Sequence, residues 1–102
     1  MTRWKLVVGP LVLSDLTDIN EHYSNVAPEQ VPRWRGEFAD TIRSIRDNPY
    51  LGREDRPGIR RRATRVFPYH VWYFVDECNH VVAIAAVLHQ RRDPALTILR
   101  TL

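Results

Sequence analysis

The sequence predicts an α+β domain of order β-α-α-β-β-β, in which a helical hairpin packs on one face of a mainly antiparallel sheet. Between residues 10 and 48, apolar residues recur every three or four positions, which is typical of amphipathic helices. Between residues 59 and 88, runs of β-branched and aromatic residues alternate with short polar turns, which is typical of neighbouring strands. A chain of 102 residues is long enough for one core, so residues 1–102 are predicted to form a single domain.

The first half of the chain predicts a short strand followed by two helices. Residues 3–8 alternate loosely between polar and apolar and end at Gly9-Pro10. The stripe of the first helix comprises Val12, Leu16, Ile19, Tyr23 and Val26. The second helix begins at either Pro28 or Pro32, since proline is tolerated in a first helical turn. Its stripe ends before Asn48-Pro49 and comprises Val31, Trp34, Phe38, Ile42 and Ile45.

The second half predicts a loop and three strands. Residues 49–58 contain two glycines and two prolines and are interpreted as a loop. Residues 59–67 carry arginines on both faces, which favours a strand at the edge of the sheet. Residues 69–75 and 81–88 predict a hairpin, and the second of these segments is apolar throughout, as expected of a central strand covered on both faces. Residues 95–102 are interpreted as either one or two helical turns or an added strand.

The formal net charge of +3 is unevenly distributed. Residues 10–48 contain seven acidic and four basic residues, whereas residues 49–102 contain five acidic and nine basic ones. Fourteen of the fifteen basic residues are arginine. Guanidinium groups suit phosphate or carboxylate recognition, although a bias in coding composition would produce the same preference. The second half is therefore where an anionic partner is expected.

Several classes of protein are disfavoured by the composition. Cys78 is the only cysteine, so no disulfide can form within the chain and a reducing compartment is expected. No signal peptide and no apolar run of membrane-spanning length are visible, which predicts a cytoplasmic protein. The four histidines have no spacing typical of metal ligands. No cofactor or metal is predicted.

Four groups of residues, in this order along nearly the whole chain, resemble the ParE/RelE toxin superfamily of bacterial type II toxin–antitoxin systems, most closely its ParE-like branch. They are Asp15-Leu16 with Ile19 and Tyr23; Asn48-Pro49 with Leu51-Gly52-Arg53; Phe67-Pro68-Tyr69 with Val71 and Tyr73; and Val87-Leu88-His89 with Arg91-Arg92-Asp93-Pro94. The resemblance implies a RelE/ParE-like fold. It also implies a small basic toxin neutralised by a ParD-like or RelB-like antitoxin, whose C-terminal segment wraps over the toxin.

The resemblance also implies two alternative activities. ParE-like members inhibit DNA gyrase and have no known hydrolytic chemistry, whereas RelE-like members cleave mRNA in the ribosome with basic residues and, usually, a tyrosine or histidine near the C-terminus. Residues 95–102 contain no histidine, tyrosine, lysine or carboxylate side chain. The main hypothesis is therefore gyrase inhibition by binding. The alternatives are an mRNA endonuclease and an inactive toxin that serves as an antitoxin-binding corepressor, and growth arrest on expression alone separates the corepressor from the others.

Candidate residues for binding the target or the antitoxin are basic and flank the predicted meander: Arg60, Arg61, Arg62, Arg65, Arg91 and Arg92. A solvated edge strand would explain the first three equally well. If the protein is a nuclease, the candidates are His89, Arg65, Arg91 and Tyr69. The favoured interpretation of His89 is nevertheless a strand-end histidine that bonds nearby backbone. Trp72 and Tyr73 are expected in the core, while Tyr69, next to Pro68, is the aromatic residue expected to reach the surface.

The two helical stripes offer more apolar surface than a hairpin can bury between its own helices. Part of that surface is expected to remain as a groove for an amphipathic antitoxin helix. The residues assigned to this groove are Leu16, Ile19, Tyr23, Trp34 and Phe38. Arg60, Arg62 and Arg65 are expected to receive the acidic part of the same antitoxin segment.

Overall fold

A computed structural model describes residues 4–92 and shows two helices packed on one face of a five-stranded sheet. The strands are β1 (Lys5–Val8), β2 (Arg53–Arg56), β3 (Ile59–Ala63), β4 (Tyr69–Asp76) and β5 (Val81–His89), and the helices are α1 (Pro10–Val26) and α2 (Val31–Asp47). Short 3-10 turns, Pro28–Gln30 and Pro49–Leu51, precede α2 and β2. The strand order is β1-β5-β4-β3-β2; β1 is parallel to β5 and every other pair is antiparallel. The predicted α+β class and the helical hairpin on a mainly antiparallel sheet are confirmed.

The helices follow the predicted apolar stripes. Val12 and Ile19 of α1 are buried and Leu16 is half-buried against the same core, whereas Val26 at the end of the stripe is exposed. The second helix begins at Val31, between the two proposed starts. Pro28 begins the 3-10 turn and Pro32 lies in the first turn of α2, where its missing N–H leaves no helical hydrogen bond unmade.

Two predictions about residues 49–67 are wrong. The segment 49–58, interpreted as a loop, contains β2, so the sheet has one strand more than predicted. The strand predicted over 59–67 ends at Ala63 and is not an edge strand, because β3 lies between β4 and β2. The edge is β2, whose side chains are charged and exposed and therefore show no apolar alternation. An interior strand can contain arginines here because Arg60 and Arg62 reach hydrogen-bond acceptors within the chain and Arg61 lies over the Trp72 ring.

The sheet separates two groups of buried side chains. The group under the helices contains Val12, Ile19, Trp34, Ile45, Tyr69, Val71, Tyr73, Val82, Ile84 and Val87. The group on the opposite face contains Ile59, Trp72, Ala86 and Leu88, with Phe74 packed against them. Residues on both faces of β5 are buried and β5 lies between β1 and β4, which confirms the prediction of a central strand. Residues 95–102, for which a helix or a strand was predicted, lie outside the described residues.

A β-bulge in β5 changes which residues face the helices. Trp72 pairs with Ala86 but Tyr73 pairs with Ile84, so Ala85 is the extra residue. Before the bulge Ile84 faces the helices, and after it Val87 does. The bulge thus sets the direction of every later side chain of β5, including His89.

The segment that connects α2 to β2 is held by one tyrosine of β4. The Tyr73 hydroxyl donates a hydrogen bond to the Pro49 carbonyl oxygen (2.6 Å). A Cβ atom on Gly52 would lie 1.9 Å from that hydroxyl oxygen, so only glycine fits there. Contacts with Tyr73 therefore explain Pro49 and Gly52 of the motif Asn48-Pro49 with Leu51-Gly52-Arg53.

Candidate functional site

One end of the sheet brings together two connections that are distant in sequence. Residues 64–68 join β3 to β4, and residues 90–92 follow β5. The Gln90 N–H donates to the Pro68 carbonyl oxygen (2.8 Å), and Tyr69 pairs with His89 in the ladder. Arg65, Arg91 and Arg92 are exposed around this junction. Three of the predicted binding residues therefore lie on two connections that meet at one end of the sheet.

A surface groove of about 440 Å³ extends this end towards α2. Arg33 of α2 and Arg65 line it, together with Gly36, Val66 and Phe67. The Glu37 carboxylate accepts hydrogen bonds from the N–H groups of Val66 and Phe67 and so ties the connection to the helix. We call Arg33, Arg65, Arg91 and Arg92 the arginine-rich end.

Arg33 was not singled out from the sequence. It lies off the apolar stripe of α2, and the connection beside it comes about thirty residues later in the chain. No local sequence pattern could have predicted that Arg33 lies beside this connection. None of the four guanidinium groups of the arginine-rich end is paired with a carboxylate within residues 4–92.

His89 is tied to the turn that follows it. Its Nδ1 accepts a hydrogen bond from the Arg91 N–H (3.1 Å), and the Arg92 N–H donates to the His89 carbonyl oxygen (2.9 Å). The interpretation that this histidine bonds nearby backbone at a strand end is confirmed. Its ring also lies edge-on to Tyr69, with the ring centroids 5.6 Å apart.

Tyr69 does not reach the surface, and the prediction that it would do so is wrong. Only 7% of the residue is exposed, because Tyr23, Trp34 and Phe67 surround it on the helix side of the sheet. Burial, followed by a hydrogen bond with Tyr23, raises the pKa of Tyr69 well above its usual value. The phenol is therefore neutral at physiological pH. Trp72 and Tyr73 are buried, as predicted.

The three consecutive arginines of β3 do not form one patch, because alternate residues of a strand point to opposite faces. Arg60 is half-buried; its guanidinium donates to the Gly52 carbonyl oxygen (2.7 Å) and lies 3.5 Å from a Glu54 carboxylate oxygen. Arg62 donates to the Ser44 hydroxyl of α2 (2.9 Å). Both side chains thus hold neighbouring segments in place.

Arg61 lies on the face away from the helices. Its guanidinium carbon is 5.7 Å from the Trp72 ring centroid, and its Nε is 4.0 Å from an Asp55 carboxylate oxygen. The candidate binding residues Arg60, Arg61 and Arg62 are therefore divided between the two faces of the sheet. None of the three belongs to the arginine-rich end, whereas Arg65 does.

The five residues assigned to an antitoxin groove separate into two groups. Ile19 and Trp34 are buried in the core of this chain and offer no surface to a partner. Leu16, Tyr23 and Phe38 are half-buried. Phe38 lines a shallow groove of about 280 Å³ along α2, whose other lining residues are Ala39, Ile42, Arg43 and Arg46.

Within residues 4–92, no three side chains of His, Cys, Asp or Glu are grouped so that they could hold a metal ion. Neither helix of this part of the chain has the length and apolar character needed to cross a membrane.

One family model matches most of the chain, and solved structures share its fold. The family model described as ParE toxin of type II toxin-antitoxin system, parDE, matches residues 6–94. A chain of the solved "Chromosomal ParDE TA system from P. aeruginosa" is similar in fold, with a TM-score of 0.73 and 16% identity over 85% of this chain and 96% of that chain.

A second solved structure, a double mutant of the E. coli toxin RelE in the free state, has a TM-score of 0.62 and 12% identity. The match covers 99% of this chain and 100% of that chain. No curated protein sequence matches significantly. At these identities the two structures show a shared fold.

Proposed function

Since the chain belongs to the ParE toxin family of type II toxin–antitoxin systems, we propose that it inhibits DNA gyrase by binding and that a cognate antitoxin neutralises it. Gyrase inhibition is the activity implied by the resemblance to the ParE-like branch. The similar fold of a ParDE system supports a ParD-like antitoxin as the partner. The contact surface that we assign to the target is the arginine-rich end.

The observation that carries this proposal is the arginine-rich end: Arg65, Arg91 and Arg92 are exposed at one end of the sheet, and Arg33 of α2 lines a groove with Arg65. None of the four is paired with a carboxylate within residues 4–92. Exposed, unpaired guanidinium groups are available for carboxylates of another protein, and they add electrostatic attraction during association. Arg60 and Arg62 are already bonded within the chain and contribute less.

A supercoiling assay with purified DNA gyrase tests the proposal. The wild-type chain should block supercoiling, and Arg65→Glu combined with Arg91→Glu should weaken inhibition at least about tenfold, because like charges across an interface are strongly unfavourable. Arg53→Glu is the matched control, since Arg53 is an exposed arginine of edge strand β2, paired in register with Arg61, and has no carboxylate partner within residues 4–92. Unchanged supercoiling at high molar excess of wild-type chain, with no antitoxin present, would contradict the proposal.

The ribosome-dependent mRNA endonuclease is the second candidate. It is supported by the meeting of its candidate residues at one end, where the ring of Tyr69 contacts His89 and the Arg91 N–H bonds the same imidazole. It is weakened by the burial of Tyr69, whose raised pKa and lack of exposure suit a core residue. In a translation mixture this candidate predicts new transcript ends at codon positions that disappear on His89→Ala or Arg91→Ala. Intact transcripts during growth arrest would exclude it.

A further inference from the structure

Gly36 occupies a position where the packing of residues 4–92 does not require glycine. It lies in the interior of α2, where glycine is less favourable than alanine. A Cβ atom there would have no neighbour within 4 Å among the described residues. At Gly52, by contrast, the same atom would lie 1.9 Å from the Tyr73 hydroxyl oxygen. The glycine of α2 instead leaves room for another molecule to approach the helix backbone closely.

The open space at Gly36 belongs to the groove between α2 and residues 64–68. Its volume of about 440 Å³ is within the range of about 300–1,000 Å³ that is typical of ligand sites. Arg33 and Gly36 are three residues apart and so lie on one face of α2. Arg65 and Val66 line the groove from the connection, and 85% of Val66 is exposed. A ligand in this groove would contact two guanidinium groups, bare helix backbone and one apolar side chain.

The charges of the groove favour an acidic ligand. The carboxylates of Glu37 and Asp40 also line it, but both are engaged within the chain. Glu37 accepts two backbone N–H groups of the connection, and Asp40 bonds Arg43 at 3.0 Å. Arg33 and Arg65 have no carboxylate partner within residues 4–92. The two arginines are therefore the charged groups of the groove that remain available to a ligand.

We propose that this groove binds an acidic segment of DNA gyrase. Carboxylates of the segment bond Arg33 and Arg65, and an apolar side chain between them packs against Val66 and the backbone of Gly36. The inference rests on the proposed function, from which it takes the partner. It makes Gly36 a specificity-determining residue, because any side chain at this position would fill the space that the segment needs.

A DNA backbone fits the same groove less well. Duplex DNA carries one negative charge per about 1.7 Å of its axis, so its phosphates would also face the Glu37 and Asp40 carboxylates. Phosphate contacts would in addition leave Val66 without a role. A protein segment can instead place carboxylates at two positions and an apolar residue between them.

A substitution at Gly36 tests the groove in the supercoiling assay. Gly36→Gln extends a neutral side chain into the groove and should weaken gyrase inhibition at least about tenfold, because closely packed contacts tolerate added volume poorly. It should also raise the urea midpoint of unfolding, since glutamine is the better helix former. The matched control is Ser14→Gln, which adds the same side chain at an exposed position of α1 outside the groove. This control should change inhibition by less than about threefold.

Two results at Gly36 would overturn the proposal. The first is inhibition by Gly36→Gln that equals inhibition by the wild type. The second is a urea midpoint of Gly36→Gln below that of the wild type, since the fold of this chain would then itself require the glycine.

Chemical cross-linking tests the acidic character of the gyrase segment, because Lys5 is the only lysine of the chain. A carbodiimide joins an amine to a carboxylate in direct contact with it. Arg33→Lys and Arg65→Lys, prepared separately, should each form a new cross-link to aspartate or glutamate of one gyrase segment in the absence of DNA. Arg53→Lys, at an exposed position of β2, should form none. Variants that inhibit gyrase but form neither cross-link, or form them only to a second copy of this chain, would overturn the proposal.

The failure of this proposal can be distinguished from that of the proposed function. If the wild-type chain leaves supercoiling unchanged, the proposed target is wrong and the groove loses its partner. If the wild type inhibits gyrase and Gly36→Gln inhibits it equally, the proposed function stands and the assignment of the groove is wrong. Inhibition titrations of the wild type, Gly36→Gln and Ser14→Gln, measured side by side, separate these outcomes.

Discussion

Arginines only a few residues apart in this chain have different tasks, because their side chains meet different neighbours. Arg60 bonds the Gly52 carbonyl and lies with its guanidinium carbon 5.2 Å from the Tyr50 ring centroid. Arg65 is exposed in the groove beside α2 and has no carboxylate partner within residues 4–92. The first therefore stabilises the fold, while the second is available to a partner.

A pair of alanine substitutions should separate these tasks. Arg60→Ala leaves the part-buried Gly52 carbonyl without its donor and should lower the free energy of unfolding by about 1–3 kcal/mol. Arg65→Ala should change it by less than about 0.5 kcal/mol but weaken partner binding. Urea denaturation and binding titrations of both variants measure the two effects. Equal losses of stability would show that Arg65 also supports the fold.

Tyr69 makes the stability of the chain sensitive to alkaline pH. Burial raises its pKa above the usual value of about 10, so the unfolded chain loses this proton first as the pH rises. The stabilisation is complete below pH 10 and declines as the pH rises towards the folded pKa, by up to about 1.4 kcal/mol per pH unit. Denaturation between pH 9 and 11 should therefore show a smaller slope for Tyr69→Phe than for wild type. Identical slopes would contradict the burial of its hydroxyl.

At the scale of elements, a carboxylate of α1 bonds the backbone of β5 next to its bulge. The Val87 N–H, just after the bulge, donates to Asp15 Oδ2 (2.9 Å) across 72 residues of sequence. The sequence analysis placed Asp15 in the resemblance motif but did not predict a contact with the sheet. Its contact joins helix to sheet at the position where the strand changes the direction of its side chains, and so helps to place His89.

The loss of stability on replacing Asp15 should depend on whether the new side chain can accept the hydrogen bond from the Val87 N–H. Asp15→Ala leaves the part-buried Val87 N–H unpaired and should lower the free energy of unfolding by about 1–3 kcal/mol. Asp15→Asn retains a carbonyl oxygen and should cost less. Asp18→Ala, an exposed position on the same helix, is the control and should change stability by less than about 0.5 kcal/mol. Equal effects of Asp15→Ala and Asp18→Ala, measured by thermal denaturation, would contradict the role of this contact.

At the scale of the whole molecule, charged and apolar surfaces lie at different places. The arginine-rich end carries exposed positive charge, whereas the β4–β5 hairpin at the other end carries Asp76 and Glu77. The apolar surface lies elsewhere, along α2 at Phe38 and Ile42 and at the edge of β1. If an antitoxin covers both kinds of surface, salt should weaken its contacts with the charged surface and leave its apolar contacts nearly unchanged.

Salt should therefore slow association of the antitoxin complex more than it speeds dissociation. Screening weakens the attraction of the arginine-rich end, with a Debye length of about 10 Å at 0.1 M salt and about 3 Å at 1 M. Apolar contacts are screened little, so the complex should survive high salt. Association and dissociation rates measured across a salt series test this. Strongly accelerated dissociation with nearly constant association would disprove the apolar anchor.

The sequence by itself determined the α+β class, both helices and the β4–β5 hairpin, because these depend on local periodicity. A stripe of apolar residues at helical spacing has few ways to be buried, and an entirely apolar strand must lie inside the sheet. The strand-end role of His89 was predictable for the same reason, since its hydrogen bond goes to backbone two residues away.

Only the tertiary structure decided the composition of the candidate site. The four charged residues of β2 form a strand because they pair with the backbone of β3, and no local sequence pattern predicts that pairing. Tyr69 is buried because helices far away in sequence cover it, and Arg33 joins the arginine-rich end because α2 packs beside residues 64–68. Such contacts arise between segments far apart in the chain. Local sequence determines which face of each helix or strand is apolar, whereas the packing of helices and strands determines which faces contact each other.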